Sequence, residues 1–330
     1  MLRIFQNISP ASFLLLLFYF AGLSVHVFLY PTESDFSNLT ILSNLIVNEW
    51  TGFSNLNETT LLIIALICIF LQGILMCIFM NYFKMLNKFS LIPAVIYYLM
   101  CFLFPEFISF FPLLVINFLL VGLLFLLFSV YNKTKIDAGI FNIGLLITII
   151  IMLYSPAAIF IIFCLYTLLR LRSTAFREIL VFFSAVILLY FLQATLLFWF
   201  DMLPAFTRQF SFKFSPEIRN LLDDPVLIVK LILSIILLII SFFFLQQKTS
   251  GMLIQTRKYF SCLATFSIFA IASALFASTV SVKNIYPALF PASIINAYYF
   301  IHLKNREAAE IIHLAVLGIV LLFQYINFAA

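Results

Sequence analysis

The segment HVFLYPTESDFSNLT, residues 26–40, sets Glu33 and Asp35 two positions apart where a long apolar run ends, with no cation near them. A carboxylate held where lipid meets water is partly desolvated, which raises its proton affinity and suits it to act as a general base on a hydroxyl acceptor. Asp and Ser also accept bonds from the orphan N–H groups of a helix start, and capping is the commoner role for Asp35 or Ser37. Both readings stand at this point. The complementary charges lie farther along. FDMLPAFTRQFSFKFSPEIRNLLDDP, residues 200–225, alternates aromatics with Arg208, Lys213 and Arg219, and Lys230 follows inside the next apolar run. Such cations can hold a phosphate. Lys230 stands six residues after Asp224, about 9 Å into its run at the α-helical rise. It either snorkels to Asp223 or Asp224 or faces a cavity and meets an anion. His26 lies one turn inside the same face, where a histidine packs with a hydrogen bond or assists proton transfer. His302 and His313 flank the polar stretch 303–310 and read as interfacial, and nothing pairs them as metal ligands.

The elements that must position these groups are set by the solvent. Apolar residues make up 65% of the 330 positions, 43 of them Phe, and charged residues 9%, with a mean hydropathy of +1.19. Soluble domains carry about a quarter charged residues, so the chain reads as a polytopic membrane protein. No polar stretch is long enough for a soluble domain or a nucleic-acid-binding surface, and no phosphate-loop, dinucleotide or zinc-protease motif is present. No cofactor or metal site is expected. The five cysteines (Cys68, Cys77, Cys101, Cys164, Cys262) fall inside apolar runs, as small packing residues do.

The expected fold is all-α, a single helical transmembrane bundle over residues 1–330. Eleven candidate spans lie near 11–30, 61–83, 90–105, 111–130, 138–153, 155–170, 178–200, 225–246, 259–279, 286–302 and 308–328. Four of these are short, so a count of nine or ten stays open. The first is too long for a signal-peptide core and lacks a small-x-small cleavage pattern, so it reads as a retained anchor. Pro287 and Pro291 in YPALFPAS predict a broken or kinked start to the tenth. With the N-terminus inside, alternate loops collect 13 of the 18 lysines and arginines, whereas the opposite loops hold nine of the 13 acids. Cations stay on the cytoplasmic side, so the bias predicts N-terminus in and C-terminus out. RLRSTAFRE, residues 170–178, belongs to that side, where juxtamembrane arginines meet anionic headgroups. Two outside loops remain, 31–60 and 201–224. In the first, Phe36, Leu39, Leu42, Leu45, Ile46 and Trp50 recur at helical spacing and predict an amphipathic helix in the interface.

A first span, an acidic outside loop with interfacial helices and a string of paired short spans resemble the plan of the GT-C glycosyltransferases. Those membrane enzymes take sugars from polyprenyl-phosphate donors. KIDAGIFNIGLLITIIIMLYSPAAIFII, residues 135–162, is similar to the glycine-containing span pairs common among them. In that family an acid of the first outside loop is the catalytic base, so the resemblance implies Asp35 or Glu33 for that role. It also implies a polyprenyl-phosphate lipid as partner. DAGIFNIG, LRLRSTAFREI and FPASIINAYYF are in turn similar to an uncharacterised family of Phe-rich bacterial inner-membrane proteins, which implies that location but no activity. The richness in Phe, Ile, Leu and Asn fits an AT-rich bacterial genome, so the sequons at Asn38 and Asn57 carry no glycan.

Two function classes follow, with a transporter third. The first is a lipid-linked sugar transferase or a relative of one. Asp35 or Glu33 would be its base, Arg208, Lys213, Arg219 and Lys230 would hold the donor phosphate, and His26 would assist. The second is a non-catalytic membrane subunit that scaffolds an envelope or secretion assembly, with a protein partner as well as membrane lipids. The charge bias makes a direct prediction. Reporter fusions after Glu49 and Leu222 should report the outside, and fusions after Lys135 and Arg172 the inside. An inside signal at Glu49 would overturn the placement of the acidic loop.

Overall fold

The computed structural model describes residues 2–6, 9–29, 34–36, 40–52, 55–86, 88–133, 136–172, 175–201, 204, 224–277 and 281–329. These residues are helical or loop, with no strand among them. Thirteen α-helices follow in chain order: α1 Leu2–Phe5, α2 Pro10–Leu29, α3 Ile41–Asn44, α4 Glu58–Tyr82, α5 Ile92–Leu103, α6 Pro112–Ser129, α7 Asp137–Leu153, α8 Phe160–Leu171, α9 Phe176–Trp199, α10 Pro225–Lys248, α11 Ile254–Leu275, α12 Leu289–His302 and α13 Arg306–Ala329. A π-helical stretch, Leu45–Trp50, continues α3, and 3-10 turns occupy Pro105–Phe107, Ser155–Ile159 and Val282–Ala288. Seven of the described helices are long and apolar enough to cross a membrane, which makes this a multi-pass membrane fold.

Helices occupy all eleven stretches expected to be helical. The ninth begins at Ile254 rather than 259, so Arg257 and Lys258 stand in its first turn and not in a loop. Their long stems let them ride on the helix end while the charges leave the apolar layer, and the Lys258 ammonium sits 5.5 Å from the centroid of the Tyr131 ring. The tenth starts broken as expected: the 3-10 turn Val282–Ala288 contains Pro287, and Pro291 falls in the first turn of α12, where no N–H is required.

Every residue of α5 is buried, and α2, α4, α12 and α13 pack around it. The rim is formed by helices with long apolar exposed faces, among them α9 (Phe191, Leu196, Trp199) and α10 (Ile232, Ile239, Phe243). In lipid such faces cost nothing, so it is packing and internal hydrogen bonds that hold the helices together. Phenylalanine supplies much of the packing. The Phe79 ring meets Phe83 at 5.0 Å and Phe125 at 4.8 Å, while Phe128 stacks on Tyr259 at 4.3 Å. Edge and offset contacts of this kind are worth about 0.5–1.5 kcal/mol each beyond burial.

One group of polar side chains inside the bundle is joined in a network. The Gln72 Oε1 atom of α4 receives the Tyr286 hydroxyl at 2.7 Å, the Asn117 amide of α6 at 3.1 Å and the Tyr97 hydroxyl of α5. The Tyr97 and Tyr286 hydroxyls are themselves 2.7 Å apart, and the Gln72 amide donates to the Leu114 carbonyl at 2.7 Å. The network links α4, α5 and α6 to the turn before α12. His313 is also interior, which corrects its interfacial placement: it lies seven residues into α13, is fully buried, and its Nε2 is 3.3 Å from the Tyr19 hydroxyl of α2. The polar stretch before it gave no indication of which face turned inward.

Close helix approach depends on small residues. A Cβ at Gly144 of α7 would stand 2.6 Å from the Phe182 carbonyl oxygen and 2.8 Å from the Ala185 methyl of α9, whereas one at Gly22 would meet nothing within 4 Å. Gly144→Ala should therefore cost about 1–3 kcal/mol and lower the thermal midpoint in detergent, while Gly22→Ala should not. Equal midpoints for the two variants would refute the α7–α9 contact.

Candidate functional site

Two ends of the bundle differ in charge. At one, Arg172 pairs with Glu178 at 2.7 Å, Arg177 pairs with Asp137, and the Lys258 ammonium donates to the Leu171 carbonyl at 3.5 Å. At the other, residues 34–36 are tied down by three elements. The Ser34 hydroxyl and N–H donate to the Glu58 carboxylate at the start of α4, at 2.6 and 3.2 Å. The Asp35 N–H donates to the Phe110 carbonyl at 3.1 Å, and the Phe36 ring lies 5.9 Å from that of Phe110. The Asp35 carboxylate meets the Lys283 ammonium at 3.4 Å. Lys283 rides on the turn that Tyr286 anchors to Gln72, so the interior network sets the position of this cation.

Asp35 does not stand at the described start of the interfacial helix. The interfacial helix begins at Ile41, and Thr40 is its cap: the Ser43 N–H donates to the Thr40 hydroxyl oxygen at 3.3 Å. That hydroxyl in turn donates to the Met152 carbonyl at 2.6 Å, one of the orphan carbonyls that end α7. Within the segment expected to form an amphipathic helix, α3 and its π-helical continuation occupy residues 41–50; α3 packs against α7, and Ser43 and Val47 are buried.

Beside Asp35 and Lys283 lies a cavity of about 20 Å³, room for a single water. Tyr154, Ser281 and Asn284 add polar groups to its lining, and Phe111, Leu113 and Ile116 supply an apolar wall. The Ser281 hydroxyl is buried and has no hydrogen-bond partner among the described residues. A carboxylate, an ammonium and a hydroxyl around a water-sized space can bind a small polar molecule and shift a proton. The cavity is too small for a lipid-linked sugar, which would have to lie over it, with this site as floor.

Lys230 turns inward. It is 2% exposed, shares the buried stripe of α10 with Leu227, and places its ammonium 5.6 Å from the centroid of the Phe323 ring of α13. Glu106 and then Asp224 are the carboxylates whose charge acts on it. Asp224 is otherwise occupied as the cap of α10, accepting from the Val226 N–H at 2.9 Å. Lys230 is buried in the bundle with the charge of Asp224, one of its two expected snorkelling partners, acting on it. His26 is half-buried in the last turn of α2. Glu33, Ser37, Arg208, Lys213, Arg219, Asp223 and the side chain of Trp50 lie outside the described residues.

Sequence reasoning passed over Lys283, Glu106, Tyr154, Ser281 and Asn284. Lys283 and Glu106 carried a usable signal, since each is a lone charge in a short link between apolar runs, next to a proline-bearing turn. No protein-family profile, no curated protein and no solved structure matches the chain.

If the Asp35–Lys283 pair pins the loop, Lys283→Gln should speed amide exchange at residues 34–36 by several-fold while leaving α5 protected. Unchanged exchange at Asp35 would show that the Glu58 and Phe110 contacts hold the loop without it.

Proposed function

We propose that the chain is an eleven-span bacterial inner-membrane protein, N-terminus inside and C-terminus outside, that transfers a sugar from a lipid-linked phosphate donor at its outer end. The observation that carries the reading is the Asp35–Lys283 pair, held by three elements over a polar floor at the end of the bundle that the charge bias assigns to the outside. Helix lengths support the span count. At the usual rises, α7 is about 26 Å long, Ser155–Leu171 about 28 Å and Val282–His302 about 35 Å, near the roughly 30 Å of a hydrocarbon core. The 3-10 turns extend helices that look short.

In this mechanism the acceptor hydroxyl attacks the anomeric carbon and gives its proton to the Asp35 carboxylate. The bond from that carbon to the phosphate oxygen breaks, and the lipid phosphate leaves with the electron pair. Lys283 meets the phosphate charge. Paired with Lys283, Asp35 is a weak base, because a neighbouring cation favours the carboxylate form. Drawing the ammonium onto the donor phosphate releases Asp35 to accept a proton, so donor binding prepares the base. Lys230, and the cations Arg208, Lys213 and Arg219 of the loop 201–224 before it, would supply further positive charge for the donor phosphate. Resemblance to the GT-C plan supports the same role for Asp35.

Rescue of a deletion phenotype tests the reading, with protein level in membranes as the control. Asp35→Asn keeps the shape but not the proton acceptor, so function should fall about 100-fold at normal protein level, and Lys283→Gln should weaken donor use. Full rescue by Asp35→Asn together with Glu33→Gln would remove catalysis from this site and leave the scaffold reading in its place.

A further inference from the structure

The opposite end of the bundle holds a second site. A cavity of about 510 Å³ opens between the N-terminal segment, the link from α4 to α5 and the link from α12 to α13. Lys88 and Arg306 line it from two sides, and no carboxylate is among its described lining residues. Glu307 and Glu310 lie beside Arg306 in neighbouring depressions. Among the described residues no ion pair joins Lys88 or Arg306 to an acid, so two cations face one space uncompensated.

The walls are built rather than incidental. The Ser90 hydroxyl donates to the Phe5 carbonyl at 3.1 Å, and the Leu91 N–H donates to the same carbonyl at 2.8 Å, which clamps the N-terminal segment against the α4–α5 link. Leu2 and Phe5 anchor that segment, each 2% exposed. His302 is held by Nδ1 against the Tyr298 carbonyl at 3.0 Å and stacks on the Tyr298 ring at 4.0 Å, leaving Nε2 for the cavity. Gln6 adds an amide, while Leu86 and Ile301 add apolar surface beside the charges.

We propose that this cavity binds a phosphate-bearing anion, either a phospholipid headgroup or free phosphate, between Lys88 and Arg306. Two cations set apart across a space with no carboxylate in its described lining suit a phosphate, whose charge they share. Basic pockets between membrane helices on the cytoplasmic side take anionic headgroups in this way. The site is independent of the outer one and stands whether or not Asp35 is catalytic.

The test uses the full chain in nanodiscs of phosphatidylcholine and reads the unfolding midpoint. One arm replaces a rising fraction of the lipid by phosphatidylglycerol, and the other adds inorganic phosphate against chloride at equal ionic strength. Stabilisation in the first arm assigns the site to a lipid headgroup, and stabilisation in the second alone assigns it to free phosphate. In either case the response should be lost in Lys88→Gln/Arg306→Gln and kept in Lys133→Gln/Arg257→Gln, which removes two cations of the same end from outside the cavity. No response in either arm, or an undiminished response in the cavity variant, overturns the proposal. Lys88 is exposed, so the single variant Lys88→Gln serves if the double variant does not fold. Its response should be reduced, and an unchanged one counts against the site.

Discussion

The Gln72 carbonyl is the point on which this structure turns. Inside a bilayer no water satisfies a polar side chain, so a buried amide must find its partners within the protein. Gln72 does so by accepting from Tyr97, Tyr286 and Asn117 and donating to Leu114. Two hydroxyl protons serve three close oxygen contacts among Gln72, Tyr97 and Tyr286, and removing Gln72 would leave the Asn117 amide and a tyrosine hydroxyl without their acceptor. Because Tyr286 belongs to the turn before α12, the network also fixes where Lys283 stands. A side chain in the middle of the bundle thus sets the geometry of a charged pair at its end.

Around that network the bundle is closed by shape. Lipid tails are as apolar as leucine, so burying a leucine in the protein contributes little in a membrane, and helices stay together through dense contact. Gly73 lets the Tyr98 ring lie against α4, with a hypothetical Cβ only 2.3 Å from it, and Gly144 does the same for α9 on α7. Phenylalanine fills the remaining volume with edge contacts. The buried α5 and the largely buried α12 form the inner layer, so the polar links at the two ends are mounted on rigid supports.

The Asp35–Lys283 pair contributes little to stability. The Asp35 and Lys283 side chains are 29% and 15% exposed and 3.4 Å apart, and pairs still open to solvent contribute about 1 kcal/mol or less. The loop already has Ser34 on Glu58, the Asp35 N–H on Phe110 and Thr40 on Met152. The pair therefore adds little to what already holds the loop, and Lys230, 2% exposed, is a second cation turned toward the interior.

Hydropathy by itself determined the solvent, the all-helical class and the position of every long apolar helix to within a few residues, because length and apolarity are properties of a segment alone. Helical spacing marked the interfacial helix of residues 41–50, and the prolines marked the broken start of α12. What only the tertiary structure decided is which face of each helix turns inward. In water that face is written as an apolar stripe, but a helix in lipid is apolar all round, so the signal is erased. For this reason only the packing shows that His313 lies inside against Tyr19 and that Lys230 points into the bundle. The partner of Asp35 was beyond reach for the same reason: Lys283 is 248 positions away, and only the packing of α4, α5 and α12 on one buried amide brings the two charges together.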